Sequence, residues 1–105
     1  MKRYRYTDVP SLLQGDVPDG DEVCYFMQMP MHCDFHHIMN GAYRKKSEKY
    51  GCWVWLCRSQ HRWLHDTREG KQAERALKME CQIAFEHKYG HDLWMKEFGH
   101  NYVHD

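Results

Sequence analysis

The chain has 105 residues, 42% of them hydrophobic and 29% charged, which is enough for one modest core and too little for a second domain of ordinary size. Lysine and arginine number 15 and aspartate and glutamate 15, so the formal charge is zero and a polyanionic partner would have to be met by local basicity. The longest uninterrupted apolar run is residues 52–57, which argues against a transmembrane helix and a secretory signal, and five cysteines without such a signal point to a reducing cytoplasm.

Residues 1–22 read as a basic N-terminus followed by a flexible acidic arm. Lys2, Arg3 and Arg5 interleave with Tyr4 and Tyr6, and Asp8, Asp16, Asp19, Asp21 and Glu22 then alternate with Pro10, Gly15, Pro18 and Gly20. Residues 23–105 read as a single α+β domain. A first short strand is expected at 33–38 and a second at 52–56, where Trp53, Val54 and Trp55 have the aromatic and β-branched character of a buried strand. Residues 39–51 read as a long loop with a turn of helix from Ser47. A short helix is expected at 58–66, which lacks proline and glycine.

The surest element is a helix over 71–89, because Ala73, Ala76, Leu77, Cys81, Ala84 and Phe85 fall on one stripe at helical spacing. Gly90 is its expected stop, Asp92 the N-cap of a last helix over 92–98, and Gly99 the end of that helix.

Nine histidines are present, and four of them carry chemistry by position. His36 and His37 close the first strand, while His61 and His65 lie one turn apart on the helix that follows the second. Two imidazoles at that spacing converge on one metal, a third from a neighbouring strand completes a three-nitrogen face, and the open positions suit water or a phosphate oxygen. A fourth histidine left beside the metal is suited to take a proton from water, since its ordinary pKa lies near working pH. Such a set reads as a hydrolase. His32, His87, His91, His100 and His104 lack partner spacing and read as solvated.

The strings "CYFMQMPMHCDFHHIMNGAYRKKSEKYGCWVWLCRSQHRWLH" and "AFEHKYGHDLWMKEFGHNY" resemble the HNH (His-Me finger, ββα-metal) endonucleases, most of all the small HNH-like proteins of phages and prophages. The resemblance covers residues 23–102. It implies a ββα-metal core over about 32–66 extended by the two C-terminal helices. It also implies His36, His61 and His65 as ligands of one divalent cation (Mg, Mn, Ni or Zn), His37 as the general base, and hydrolysis of DNA phosphodiester bonds in a bacterial host cell.

Two positions depart from the family pattern. The asparagine that orients the base falls here on Cys52, beside Gly51, and the structural zinc knuckle would use Cys24, position 27, Cys57 and position 60, which are Met27 and Gln60. A thioether and a neutral amide bind zinc poorly, so the structural zinc is expected to be lost and Met27 to fill the space by apolar contact. A shifted site using Cys24, Cys57 and either His32 or Cys33 is the lesser alternative.

Between residues 43 and 62 six basic residues, Arg44, Lys45, Lys46, Lys49, Arg58 and Arg62, face one acid, Glu48. They bracket the histidines and suit a phosphate backbone, so the expected partner is DNA, bound with weak sequence preference and no membrane involvement. The oligomeric state stays open. Lys2, Arg3 and Arg5 with Tyr4 and Tyr6 offer a second backbone contact with base stacking, or an ordinary solvated terminus. Two other readings accompany the nuclease: a decayed HNH-fold module that binds DNA or assists recombination in a phage without cutting, and a structural metal module whose interface is the acidic arm and Trp63.

Overall fold

A computed structural model describes residues 2–103 and shows an α+β fold of two small antiparallel sheets and four α-helices. The elements are β1 (Val23–Cys24), β2 (Met29–Pro30), β3 (Cys33–His37), α1 (Arg44–Tyr50), β4 (Trp53–Cys57), α2 (Arg58–Asp66), α3 (Arg68–Tyr89) and α4 (His91–Phe98). A 3-10 turn at Gly41–Tyr43 leads into α1. Strands β1 and β2 form a hairpin, and β3 pairs with β4 in unbroken register from Cys33 opposite Cys57 to His37 opposite Trp53.

A two-stranded ribbon is marginal alone, so both of its faces have to be covered. Alternation along β4 divides the core accordingly. Val54 and Leu56 pack with Ile38, Leu64, Leu77, Cys81, Phe85, Trp94 and Phe98 on the helical face. Trp53, Trp55 and Cys57 pack with Phe35, Cys33, Cys24 and Tyr4 on the other. Every residue of β4 is buried, which is why its sequence is continuously apolar.

The cover of the second face is the N-terminal segment, and here the expectation of a flexible arm is corrected. Tyr4 is only 2% exposed, and the indoles of Trp53 and Trp55 donate to the carbonyls of Val9 (3.0 Å) and Val17 (2.7 Å). The acids expected to repel one another are matched by the basic terminus: Arg3 pairs with Asp16 at 3.0 Å and Arg5 with Asp19 at 3.2 Å. Two buried tryptophans need partners for their N–H groups as well as their rings, and this segment supplies both.

Strands β3 and β4 and helix α2 fall close to expectation; the other boundaries differ for local reasons. Helix α1 runs two turns from Arg44, where one turn from Ser47 was expected, because buried Ser47 anchors it: its hydroxyl donates to the Met39 carbonyl (2.6 Å) and accepts from the Met39 amide (3.1 Å). Helix α3 starts at Arg68, three residues early, because Thr67 Oγ1 accepts the Gly70 amide at 2.8 Å. Helix α4 starts at His91 on Gly90, so Asp92 sits in the first turn and does not cap it. The β1–β2 hairpin was not expected, its strands being two residues each. No helix among the described residues is long and apolar enough to cross a membrane.

Candidate metal centre

Position 36 of β3 faces the helices, beside Val54 in the pairing register, and α2 begins directly at the end of β4. That short connection turns His61 and His65 back over the end of the ribbon. The rings of His36, His61 and His65 form a triangle, edge-on or tilted to one another, with centroids 5.1, 5.7 and 4.9 Å apart, and one nitrogen from each lies within 4.8 Å of the others. The sequence-derived ligand trio is therefore brought together.

Whether a cation fits can be judged from three features. His36 Nδ1 and His61 Nε2 are 3.3 Å apart. Two imidazole nitrogens bound tetrahedrally at ordinary zinc distances are separated by about 3.3 Å, so this pair needs little adjustment. His36 is 3% exposed and its Nε2 has no hydrogen-bond partner among the described residues. Burial, and then the like charges of His61, His65, His37 and Lys78, push the His36 pKa down to about 3, so the ring is neutral; with its hydrogen on Nε2, the Nδ1 that faces His61 keeps the lone pair for a ligand.

Carboxylates stand behind the other two rings. Asp34, two residues before His36 and on the same face of β3, holds His61 Nδ1 at 3.1 Å, and Glu74 of α3 lies 3.6 Å from His65 Nδ1. Both acids face Nδ1 of their ring, and His61 turns its Nε2 toward His36. Sequence reasoning missed both acids. The i, i+2 spacing of Asp34 to His36 was a usable signal, whereas Glu74 joins only through the packing of α3 on α2.

His37 takes a different position. The strand is regular, so His36 and His37 project to opposite faces, and His37 packs against Phe35 and Tyr6 with its Nε2 2.8 Å from Glu48 Oε2. It still reaches the site, because the cleft opens at the strand end. Phe35, His36, His37, Asn40, Arg44, His61 and His65 line that cleft of about 150 Å³.

The positions of the expected knuckle make other contacts. Among the described residues, His36, His61 and His65 are the one group of three histidine, cysteine or acidic side chains with donors so close together. The Cys57 amide donates to Cys24 Sγ at 3.3 Å, Cys57 Sγ contacts Ser59 Oγ at 3.4 Å, and Cys33 Sγ donates to the Met31 carbonyl. Met27 lies in the hairpin turn and is 46% exposed, so the expectation that it fills the space is corrected; Gln60 is half-buried and His32 exposed.

The basic residues divide. Arg44 lines the cleft, Lys45 and Arg62 are exposed, Lys46 donates to the Glu97 carbonyl at 2.9 Å, Lys49 lies over Tyr50, and Arg58 is 3.9 Å from Asp34. At the terminus Tyr4 is buried against Trp53 and so cannot stack on a base, while Tyr6 is exposed. Trp63 is half-buried and packs against the helical core. His87, His91 and His100 are exposed, and His91 Nδ1 contacts Glu86 at 2.7 Å; His104 lies outside the described residues.

No family model, curated protein or solved structure matches the chain.

Proposed function

We propose that this chain is a metal-dependent endonuclease of the HNH type that hydrolyses DNA phosphodiester bonds with one divalent cation. The observation that carries the reading is the convergence of His36, His61 and His65 at the mouth of a cleft that His37 also lines. A three-imidazole face with carboxylates behind it suits zinc, nickel or manganese, and such a face leaves coordination positions open for substrate. A divalent cation held there would supply Lewis-acid polarisation of the scissile phosphate and offset charge on the leaving 3′ oxygen.

The protein's own part is proton removal and positioning. With Nε2 of His37 engaged by Glu48, Nδ1 is the atom that takes a proton from water as the water oxygen forms its bond to phosphorus and the bond to the 3′ oxygen breaks. Arg44 on the cleft wall and the exposed Lys45 and Arg62 offer contacts to flanking phosphates, which set affinity without reading sequence.

The test is nicking of supercoiled plasmid by the full chain, stripped of metal and reloaded in turn with magnesium, manganese, nickel and zinc, beside His37→Ala. Metal-dependent nicking is expected, with a loss of about 100-fold or more in the variant, the usual worth of a positioned base. Metal affinity in the variant should stay within about twofold of the wild type, since His37 is not among the converging donors. Salt-sensitive plasmid retention without nicking under any ion would replace the nuclease by a binding module on the same fold.

A further inference from the structure

Between residues 43 and 62 six basic residues surround the histidines in sequence, and the one acid among them, Glu48, points inward, where it meets His37. We propose that Glu48 is the positioning residue of this site: its carboxylate accepts the Nε2–H of His37, which fixes the ring's tautomer and leaves the Nδ1 lone pair directed to the cleft side of the ring. Glu48 acts in this way only if His37 takes the proton, as the nuclease reading has it.

Three observations support the assignment. The contact is 2.8 Å, between side chains that are 15% and 17% exposed. An ionised carboxylate accepts hydrogen bonds and donates none, so the nitrogen facing it must carry a hydrogen, and the second nitrogen of a neutral ring then has the lone pair. The ring is also held sideways, by the edge of Phe35 with centroids 4.8 Å apart and by Tyr6 stacked at 5.9 Å.

The carboxylate's own position is fixed from two directions. The Ser47 hydroxyl ties α1 to Met39, two residues beyond His37, and the Thr7 hydroxyl donates to the Glu48 carbonyl at 2.8 Å. Helix α1 thus carries the acid at a set distance from the strand end. Position 52, where the related nucleases carry an orienting asparagine, is here a buried cysteine that contributes no such group, and the carboxylate from α1 makes the contact instead.

The experiment compares full-length wild type with Glu48→Ala, Glu48→Asp and Glu48→Gln. In metal-free protein labelled with 15N at histidine, long-range proton–nitrogen correlation reports which His37 nitrogen bears the hydrogen. Wild type and Glu48→Gln, whose amide oxygen still accepts, are expected to show Nε2–H; Glu48→Ala and the shorter Glu48→Asp are expected to show a mixture of tautomers. With the ion that gives fastest wild-type nicking, Glu48→Ala should lose about 100-fold in kcat, with KM and metal affinity within about twofold. Glu48→Gln should lose about tenfold, because it keeps the orientation and lacks the charge that stabilises the protonated ring. If Glu48→Ala does not fold, Glu48→Asp gives the same two readouts.

Wild-type tautomer and kcat within twofold in Glu48→Ala, with nicking by the wild type, overturns the role of Glu48 alone. A wild type that nicks under no ion overturns the nuclease reading, and with it any base for Glu48 to serve.

Discussion

At His36 the needs of folding and of metal binding pull against each other. Burial leaves Nε2 without a partner and holds the ring neutral down to about pH 3, against 6.5 for an exposed imidazole. Between those values the unfolded chain binds a proton that the folded chain refuses, so stability rises with pH across this window and falls as the solution is acidified. From pH 7.5 to pH 4, metal-free protein should lose about 3 kcal/mol from this group, measured by urea unfolding. His36→Leu, which fills the site with an apolar side chain, should flatten the profile by that amount; equal slopes in the two proteins would show that His36 is not held neutral. The ligand trio was legible in the sequence because adjacent and i, i+4 spacings are local. Glu48 and Glu74 were not, and Asp34 only through its i, i+2 spacing to His36, since these carboxylates meet imidazoles 11, 9 and 27 residues away in sequence and no spacing rule announces such pairs.

Elements matter here through how closely they approach. Thr67 closes α2 and opens α3, with its hydroxyl donating to the Trp63 carbonyl and accepting from the Gly70 amide, both at 2.8 Å. Gly70 lies directly on α2: an added Cβ would clash with the Trp63 carbonyl oxygen and fall 2.7 Å from Leu64 Cα, both backbone atoms that cannot rotate away. Gly70→Ala should therefore cost about 3 kcal/mol, at the upper end for overpacking, and lower the melting temperature by more than about 10 °C. Metal affinity should fall with it, because the displaced segment carries His61 and His65. Gln72→Ala, on the exposed face of α3, is the control and should change stability by less than about 0.5 kcal/mol. A Gly70→Ala protein that melts with the control would mean that the two helices are not in the close contact described. The long helix was readable from its apolar stripe, whereas its true start depended on a cap three residues outside that stripe.

For the whole molecule, the governing fact is that a two-stranded ribbon has two faces to bury. The helices cover one, and residues 2–22 cover the other, with Tyr4 against Trp53 and with backbone carbonyls for both indoles. Removing residues 1–22 would expose Phe35, Trp53 and Trp55 together, an apolar patch of the kind that drives association. The shortened chain should bind a hydrophobic dye and scatter light at micromolar concentration, where the full chain does not. A monomeric truncated protein with the denaturant sensitivity of the full chain would show that the segment is dispensable. The same removal would take Tyr6 and Thr7 from the neighbourhood of His37 and Glu48.

The sequence by itself determined the elements with strong local signals: the buried strand expected at 52–56 and found at Trp53–Cys57, the helix that presents His61 and His65 on one face, and the apolar stripe of the long helix. Spacing along the chain encodes these directly, because helices and strands have fixed periods. Only the tertiary structure decided that the acidic segment is a lid on the ribbon, that His37 sits across the strand from His36 yet borders the same cleft, and that Asp34, Glu48 and Glu74 stand behind the imidazoles. Those relations join residues distant in sequence, and they follow from which surfaces must be buried and which charges must be paired once the ribbon and helices meet.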